Sequence, residues 1–223
     1  MVRTLSLPWD LPGEGEELWR NVHSLDELAP LVRECTRCPL RQGCTQVVFG
    51  DGTPRARLMI IGEGPGADED RIGRPFVGRA GQLLDRILAA CGFTRERHVY
   101  IANVVKCRPP NNRAPTEEER EACLPHLRAQ ARILDPAIVV LLGATAVQAL
   151  IDPAARISQV RGRWLSWEGR PCMATYHPAA LLRNPALKKP VWEDFKRVVD
   201  RYREQVDPAH DAPHYPRPGA GRP

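Results

Sequence analysis

The chain has 223 residues, 43% of them hydrophobic, and a net charge of +5, enough for one sizeable domain with tails; 28 of its 32 basic but only 19 of its 27 acidic residues fall between 31 and 205, an excess that suits a polyanionic partner, nucleic acid above all. The opening stretch MVRTLSLPWDLPGEGEELWR has no apolar signal core, and the longest apolar run, AIVVLLGATAVQALI, is too short and too broken by Gly143, Thr145 and Gln148 to span a membrane, so a cytoplasmic protein is expected. Seven cysteines, an odd number in a reducing compartment, argue against a complete disulfide framework.

In chain order, residues 1–30 form an N-terminal extension, irregular and acidic through about residue 20. Ser24 followed by Glu27 is a capping box opening a short helix toward Cys35, with Pro30 as a blemish. ARLMIIG (56–62) is a short apolar run ending in glycine, the pattern of a buried strand. The glycine-rich loop GEGPGADEDRIGRPFVG follows, then RAGQLLDRILAACG, with helical spacing at Leu83, Leu84, Ile87 and Leu88 and a stop at Gly92. HVYIANVV is a second strand, leaving into KCRPPNNRAP, which holds too many prolines for regular structure. Thr116 and Glu119 cap a helix to about Leu134, expected to kink or break near Pro125. AIVVLLG is a third strand with a short helix after it, and RWLSWEGRPCMATYHP is a hairpin turning at Glu168-Gly169 that delivers Tyr176 and His177 to a loop. A helix from about Val191 to Gln205 closes the main domain, 31–205, and the Pro- and Gly-rich segment 206–223 is expected to be disordered.

Alternating strands and helices predict a three-layer α/β/α fold around a central, mainly parallel four-stranded sheet. Ligands of such sheets bind at the carboxyl ends of the strands. Here those ends carry GEGPG, Asn103 and Tyr176-His177-Pro178, which puts the unusual residues on one rim.

Cys35 and Cys38 form a C-x-x-C that follows a helix and precedes no strand, a poor setting for a thioredoxin-like redox couple. As half of a metal site it needs partners. Cys91 and Cys172 sit in apolar elements and read as small core residues. Cys107, in an irregular basic loop, and Cys123 can converge, while Cys44 competes for the same place. Four thiolates hold either zinc or a 4Fe–4S cluster, and spacing does not choose between them.

GEGPGADED lacks the dinucleotide spacing, and Glu63, Asp68, Glu69 and Asp70 argue against a phosphate cradle. It is either a solvated acidic turn or a loop whose carboxylate, directly after a buried strand, orients water. Phe76 is a loop anchor or an aromatic platform. Asn103, inside an apolar strand, either braces backbone or reads a ligand with its paired donor and acceptor. His177 is a structural or a catalytic histidine at a strand end.

GEGPG, GRPFVGRAGQLL, NVVKCRPPNNRAP and HPAALLRNP, in that order, resemble family 4 of the uracil-DNA glycosylase superfamily, the iron–sulfur enzymes, over roughly Cys35 to Gln205. The resemblance implies a monomeric DNA-repair hydrolase that flips uracil out of DNA and leaves an abasic site. It implies a structural 4Fe–4S cluster on Cys35, Cys38, Cys107 and Cys123, with Cys44 a bystander. It further implies that Phe76 stacks on uracil, that Asn103 bonds its N3–H and O4, and that His177 donates to the oxygen gaining charge. Glu63 and its loop, with Gly62, Gly64 and Glu69, would position base and water. Leu181 lies where the superfamily keeps a base-stack wedge, with Arg183 and Arg113 for DNA phosphates. Family 5 differs at the Glu63 position, and the DNA-crosslinking relatives carry a basic insertion that this chain lacks. Gly64 and Gly66 stand where family 1 enzymes carry a water-activating Asp and a thymine-excluding Tyr, and Ala179 replaces the Ser of the HPS motif. The alternatives are a glycosylase for a broader set of deaminated bases and a non-catalytic, zinc-stabilised nucleic-acid-binding module.

Overall fold

In the computed structural model, which describes residues 19–217, the strands are β1 (Asp51–Gly52), β2 (Leu58–Gly62), β3 (Val99–Asn103), β4 (Ile138–Leu142), β5 (Trp164–Trp167) and β6 (Arg170–Thr175). Every residue of β2, β3 and β4 is buried, as expected of parallel strands covered on both faces. The sheet order is β1-β3-β2-β4-β6-β5, with the four inner strands parallel and both edge strands antiparallel. The sheet is therefore six-stranded and mixed, not four-stranded. β1 is two polar residues with no pattern to announce it, and β5 pairs only through the hairpin. That hairpin turns where predicted, with Glu168 and Gly169 both at positive φ (49° and 78°), which suits the right-handed twist of the strands.

The helices are α1 (Leu25–Arg33), α2 (Leu40–Gly43), α3 (Ala67–Ile72), α4 (Arg79–Ala90), α5 (Glu117–Leu134), α6 (Ala144–Leu150), α7 (Ile157–Val160), α8 (Pro178–Arg183) and α9 (Lys188–Gln205). Alternation along the strands splits the core in two. Met59, Ile61, Ala102 and Leu141 pack with α1, α5 and α6, while Leu58, Ile60, Ile101 and Val140 pack with α4 and α9. Among the described residues no helix is long and apolar enough to cross a membrane.

The Thr116–Glu119 capping box is reciprocal: Glu119 N donates to Thr116 Oγ1 at 3.3 Å and Thr116 N to Glu119 Oε2 at 2.8 Å. At α1 only half a box forms, because the Glu27 carboxylate accepts from His23 N (2.9 Å) while Ser24 Oγ accepts from Glu27 N (3.1 Å). α5 passes Pro125 without a break, since Cys123, Leu124 and Leu127 are buried around it and hold the helix against the core.

The C-terminal segment departs from the disordered tail expected of it. His210 is 4% exposed, stacks on Phe93 at 4.5 Å and places Nε2 2.8 Å from the Cys91 carbonyl. Arg203 donates to the carbonyls of His210 and Tyr215 at 3.1 and 2.9 Å. A few anchoring side chains outweigh a composition that by itself disfavours order. Residues 218–223, and the acidic stretch 1–18, lie outside the described residues.

Candidate active site and thiol cluster

Parallel register brings Gly62 opposite Asn103 and Leu142 opposite Thr175, so four strand ends lie level. They open into one cavity of about 530 Å³, lined among others by Glu63, Gly64, Glu69, Phe76, Asn103, Arg113, His177 and Arg183. Gly62 lies under it. A Cβ there would sit 2.6 Å from both Asn103 Oδ1 and Phe76 Cζ, so only glycine lets the amide and the ring meet.

Asn103 is 1% exposed, and its Oδ1 has no partner. A buried acceptor left unpaired is costly, and this one is set for an N–H donor from a ligand. Its backbone is held by Lys106, whose Nζ donates to the Asn103 carbonyl at 2.9 Å and to Gln130 Oε1 at 2.6 Å. Burial pushes the Lys106 ammonium down to about 8.

The Phe76 ring centroid lies 5.4 Å from that of His177, with the planes 32° apart. His177 is the N-cap of α8, and its Nδ1 accepts from Ala179 N at 3.2 Å. The ring proton therefore sits on Nε2. Burial, and secondarily Arg183, pushes the imidazole down to about 4, so it is a neutral donor. Gly143, at φ +92°, admits it: a Cβ there would fall 3.0 Å from His177 Cβ.

Glu63 accepts a hydrogen bond from the Thr145 hydroxyl, from the first turn of α6. Thr145 and the β4 end were missed by sequence reasoning, and the only available signal was that β4 ends on the same rim. Of the other acids of GEGPGADED, Asp68 is exposed and pairs with Arg71, whereas Glu69 and Asp70 are anchors. Glu69 Oε1 accepts from Val77 N and Gly78 N, each at 2.8 Å, and its Oε2 from Gly66 N at 3.2 Å. Asp70 Oδ1 accepts from Thr45 N (2.9 Å) and Gln46 N (3.3 Å), tying the segment after Cys44 to α3.

Of the predicted DNA contacts, Leu181 is placed differently from expectation, while Arg113 stands at the cavity wall but is engaged by a carboxylate. Leu181 is 1% exposed, in the core cluster it shares with α4 and α9, because its turn of α8 faces inward onto α4; the neighbouring Leu182 is 38% exposed. The Arg113 guanidinium grips Glu119 with both terminal nitrogens, at 2.6 and 2.8 Å, and holds that carboxylate below its usual range. Arg183 is exposed at the cavity wall.

Cys35, Cys38, Cys107 and Cys123 line one small cavity of about 10 Å³ with Lys106 and His126, although no three His, Cys, Asp or Glu among the described residues already form a metal-holding group. Lys106 N lies 3.3 Å from Cys123 Sγ, and His126 Nε2 lies 3.1 Å from Cys35 Sγ. Burial raises the Cys107 and Cys123 thiols, the latter to about 12. Cys44 does not line this cavity; it neighbours Cys107 and its Sγ lies 3.6 Å from the Arg41 carbonyl. Cys91 and Cys172 are buried in the core, as expected.

Residues 49–196 match the uracil DNA glycosylase superfamily. The type-4 uracil-DNA glycosylase of Thermotoga maritima is 49% identical over 171 residues, covering 75% of this chain and 88% of that protein. That of Pyrobaculum aerophilum is 44% identical over 199 residues, covering 83% and 98%. A type-5 uracil-DNA glycosylase from the same organism is 31% identical over 191 residues, covering 71% and 84%. The span that matches the superfamily includes the parallel sheet and Glu63, Phe76, Asn103 and His177, and with type-4 relatives at this identity over most of its length the chain belongs to the type-4 uracil-DNA glycosylases.

Proposed function

We propose that the rim cavity receives a uracil nucleotide swung out of DNA and that its residues hydrolyse the N-glycosidic bond, leaving an abasic site. Excision of uracil from DNA is the activity of the type-4 enzymes to which the chain belongs. The observation that carries the assignment of the site is the unpaired Asn103 Oδ1, buried beside Phe76. Uracil N3–H donates to that oxygen and Asn103 Nδ2 donates to O4. Cytosine presents the reverse pattern and leaves both partners unpaired. Phe76 stacks on the base, returning about 1–3 kcal/mol of the cost of flipping.

As the C1′–N1 bond breaks, its electron pair moves onto the base and charge gathers at O2. His177 Nε2–H, already neutral and fixed, donates there, an interaction worth roughly 10²–10³ in rate. Glu63, oriented by Thr145, positions the water whose oxygen bonds to C1′ and takes up its proton. Gly62 and Gly64 give the base room, and Glu69 acts through the loop it braces. Arg183, with the exposed Lys188 and Lys189 beyond it, meets phosphate, and Leu182 takes the wedge position first assigned to Leu181. Arg113 serves that phosphate role less well, being paired with Glu119.

Cys35, Cys38, Cys107 and Cys123 would hold the 4Fe–4S cluster. The donor set fits: four thiols from three segments line one cavity together with Lys106, whose backbone N–H already meets Cys123 Sγ as it would a cluster thiolate. Bound there, the cluster ties the N-terminal segment to the loop after β3 and to α5. We take 31–205 as the glycosylase domain, acting as a monomer.

The test is a uracil-containing oligonucleotide incubated with the purified protein and treated with alkali. Strand scission at uracil, with the matched cytosine strand intact, is expected; survival of both overturns the assignment. Strands carrying hypoxanthine or xanthine separate a narrow specificity from a broad one.

A further inference from the structure

Phe76 has φ +55°, in the left-handed region that a bulky side chain occupies only when its surroundings hold it there. Phe76 borders both the rim cavity and a second, open cavity of about 420 Å³, with only 5% of the residue exposed. The ring is buried in the core, and the peptide that carries it at this φ is gripped separately, through the backbone.

Arg95 supplies the hold. Its Nη1 donates to the Pro75 carbonyl at 2.8 Å and its Nη2 to the Phe76 carbonyl at 2.7 Å, so one planar guanidinium spans two consecutive peptides. The guanidinium is itself oriented from behind. Nη1 pairs with Asp51 on β1 at 2.9 Å and Nε with Asp85 on α4 at 2.9 Å. Asp51 is also bound by Arg74 at 2.9 Å. The Arg95 side chain is only 11% exposed and Asp51 20%, so that pair competes little with water, whereas Asp85 is half-exposed. Glu69 completes the clamp from the other side by accepting from the next two amides, Val77 and Gly78.

We infer that Arg95, oriented by Asp51 and Asp85, is a positioning residue that fixes the Phe76 peptide and thereby sets the ring at the height and tilt needed to stack on the extruded base. The inference rests on the reading of Phe76 as the stacking platform. Arg95 does not line the rim cavity and acts only through Phe76.

The test is a double-mutant cycle, with single-turnover excision from a single-stranded uracil oligonucleotide and inhibition by free uracil as readouts. Arg95→Ala in the wild-type background is expected to lower the rate by about tenfold or more and to weaken uracil inhibition in step, the scale of a lost base–aromatic stack. In a Phe76→Ala background the same substitution should change either quantity by about twofold at most, because two residues acting through one contact are not additive. Arg95→Lys, which keeps the charge and one donor, should fall between. A purely structural arginine would instead give equal losses in both backgrounds, and that outcome, or an unchanged Arg95→Ala, overturns the inference while leaving Phe76 in place. Wild-type activity in Phe76→Ala alone would reject the stacking reading itself, and the inference with it. If Arg95→Ala fails to fold, Asp85→Asn, which removes only the Nε partner, should show the same asymmetry at smaller size; equal loss in both backgrounds counts against it.

Discussion

His177 Nδ1 accepts the Ala179 amide at 3.2 Å, and this one bond decides what the ring can do. The tautomer is locked with its proton on Nε2. Burial moves the protonation of the imidazole from its ordinary 6.5 to about 4. A neutral donor is thus present throughout the physiological range, and a rate profile between pH 5 and 8 should show no inflection from His177. The unfolded ring takes a proton near 6.5 and the folded one refuses it until about 4, so this group makes folding stability fall as pH drops through that window. His177→Ala should lower single-turnover excision by roughly 10²–10³ with circular dichroism unchanged. An activity step centred near 6.5 that disappears in the variant would reject the neutral-donor role.

Asn103 offers an acceptor with no internal partner, so removing it leaves nothing in the protein unpaired on that oxygen's account. Asn103→Ala should therefore cost excision about 10- to 100-fold, the loss of two hydrogen bonds to the base, with little change in melting temperature. Its Lys106 contact is through the backbone carbonyl and survives the substitution. Kinetics and thermal denaturation measured on the same preparation check both halves of this expectation.

Glu63 and Glu69 lie six positions apart and do different work. Glu69 accepts from three backbone amides, and Glu69→Gln puts an amide donor against some of them, so stability should fall by about 1–3 kcal/mol. Glu63 is bound by the Thr145 hydroxyl and faces the cavity. Glu63→Gln should lower the rate with the melting temperature held, and Thr145→Val should lower it less. Urea titration beside single-turnover kinetics separates the two; a Glu69→Gln variant of wild-type stability and low activity would reverse the assignment.

What the sequence made visible follows from which physical signals are local. β2, β3 and β4 are apolar along their whole length because both faces are covered, and that signal needs no partner. β1 was invisible because Asp51 and Gly52 become a strand only against Ile101 and Tyr100. Asn103 and His177 stood out as polar residues at the ends of apolar runs. Thr145 did not, since its partner Glu63 is 82 residues away and a threonine after a strand is unremarkable by itself. The acidic loop looked solvated because Glu69 meets Val77 and Gly78 only once the loop folds back on itself, and the amides that engage Asp70 come from the segment after Cys44. His210 hid in a proline-rich tail for the same reason.

Cys107 and Cys123 share their small cavity with Cys35 and Cys38, whereas Cys44 stands beside Cys107 and outside it. Cys107→Ser and Cys123→Ser should lose iron and the brown chromophore and melt at lower temperature. Cys44→Ser should keep all three near wild type. Iron analysis and the visible spectrum of the purified variants decide the matter, and loss of iron in Cys44→Ser would move Cys44 into the ligand set.

Leu181 and Leu182 adjoin on α8, but one is buried and the other exposed. Leu181 is 1% exposed in the core cluster where α8 packs on α4, so Leu181→Ala creates a cavity and should cost about 2–5 kcal/mol of stability. Leu182 is 38% exposed, one residue before Arg183 at the cavity wall, so Leu182→Ala should leave the melting temperature unchanged. Its effect should appear in the substrate. A wedge holds open a space that pairing would otherwise close, so excision from duplex DNA should fall several-fold while excision from single strands, with no partner base to expel, stays near wild type. Equal rates of Leu182→Ala and wild type on both substrates would deny the wedge to this residue. A loss on duplex in Leu181→Ala without any change in melting temperature would return the role to Leu181, and would require α8 to turn outward on DNA.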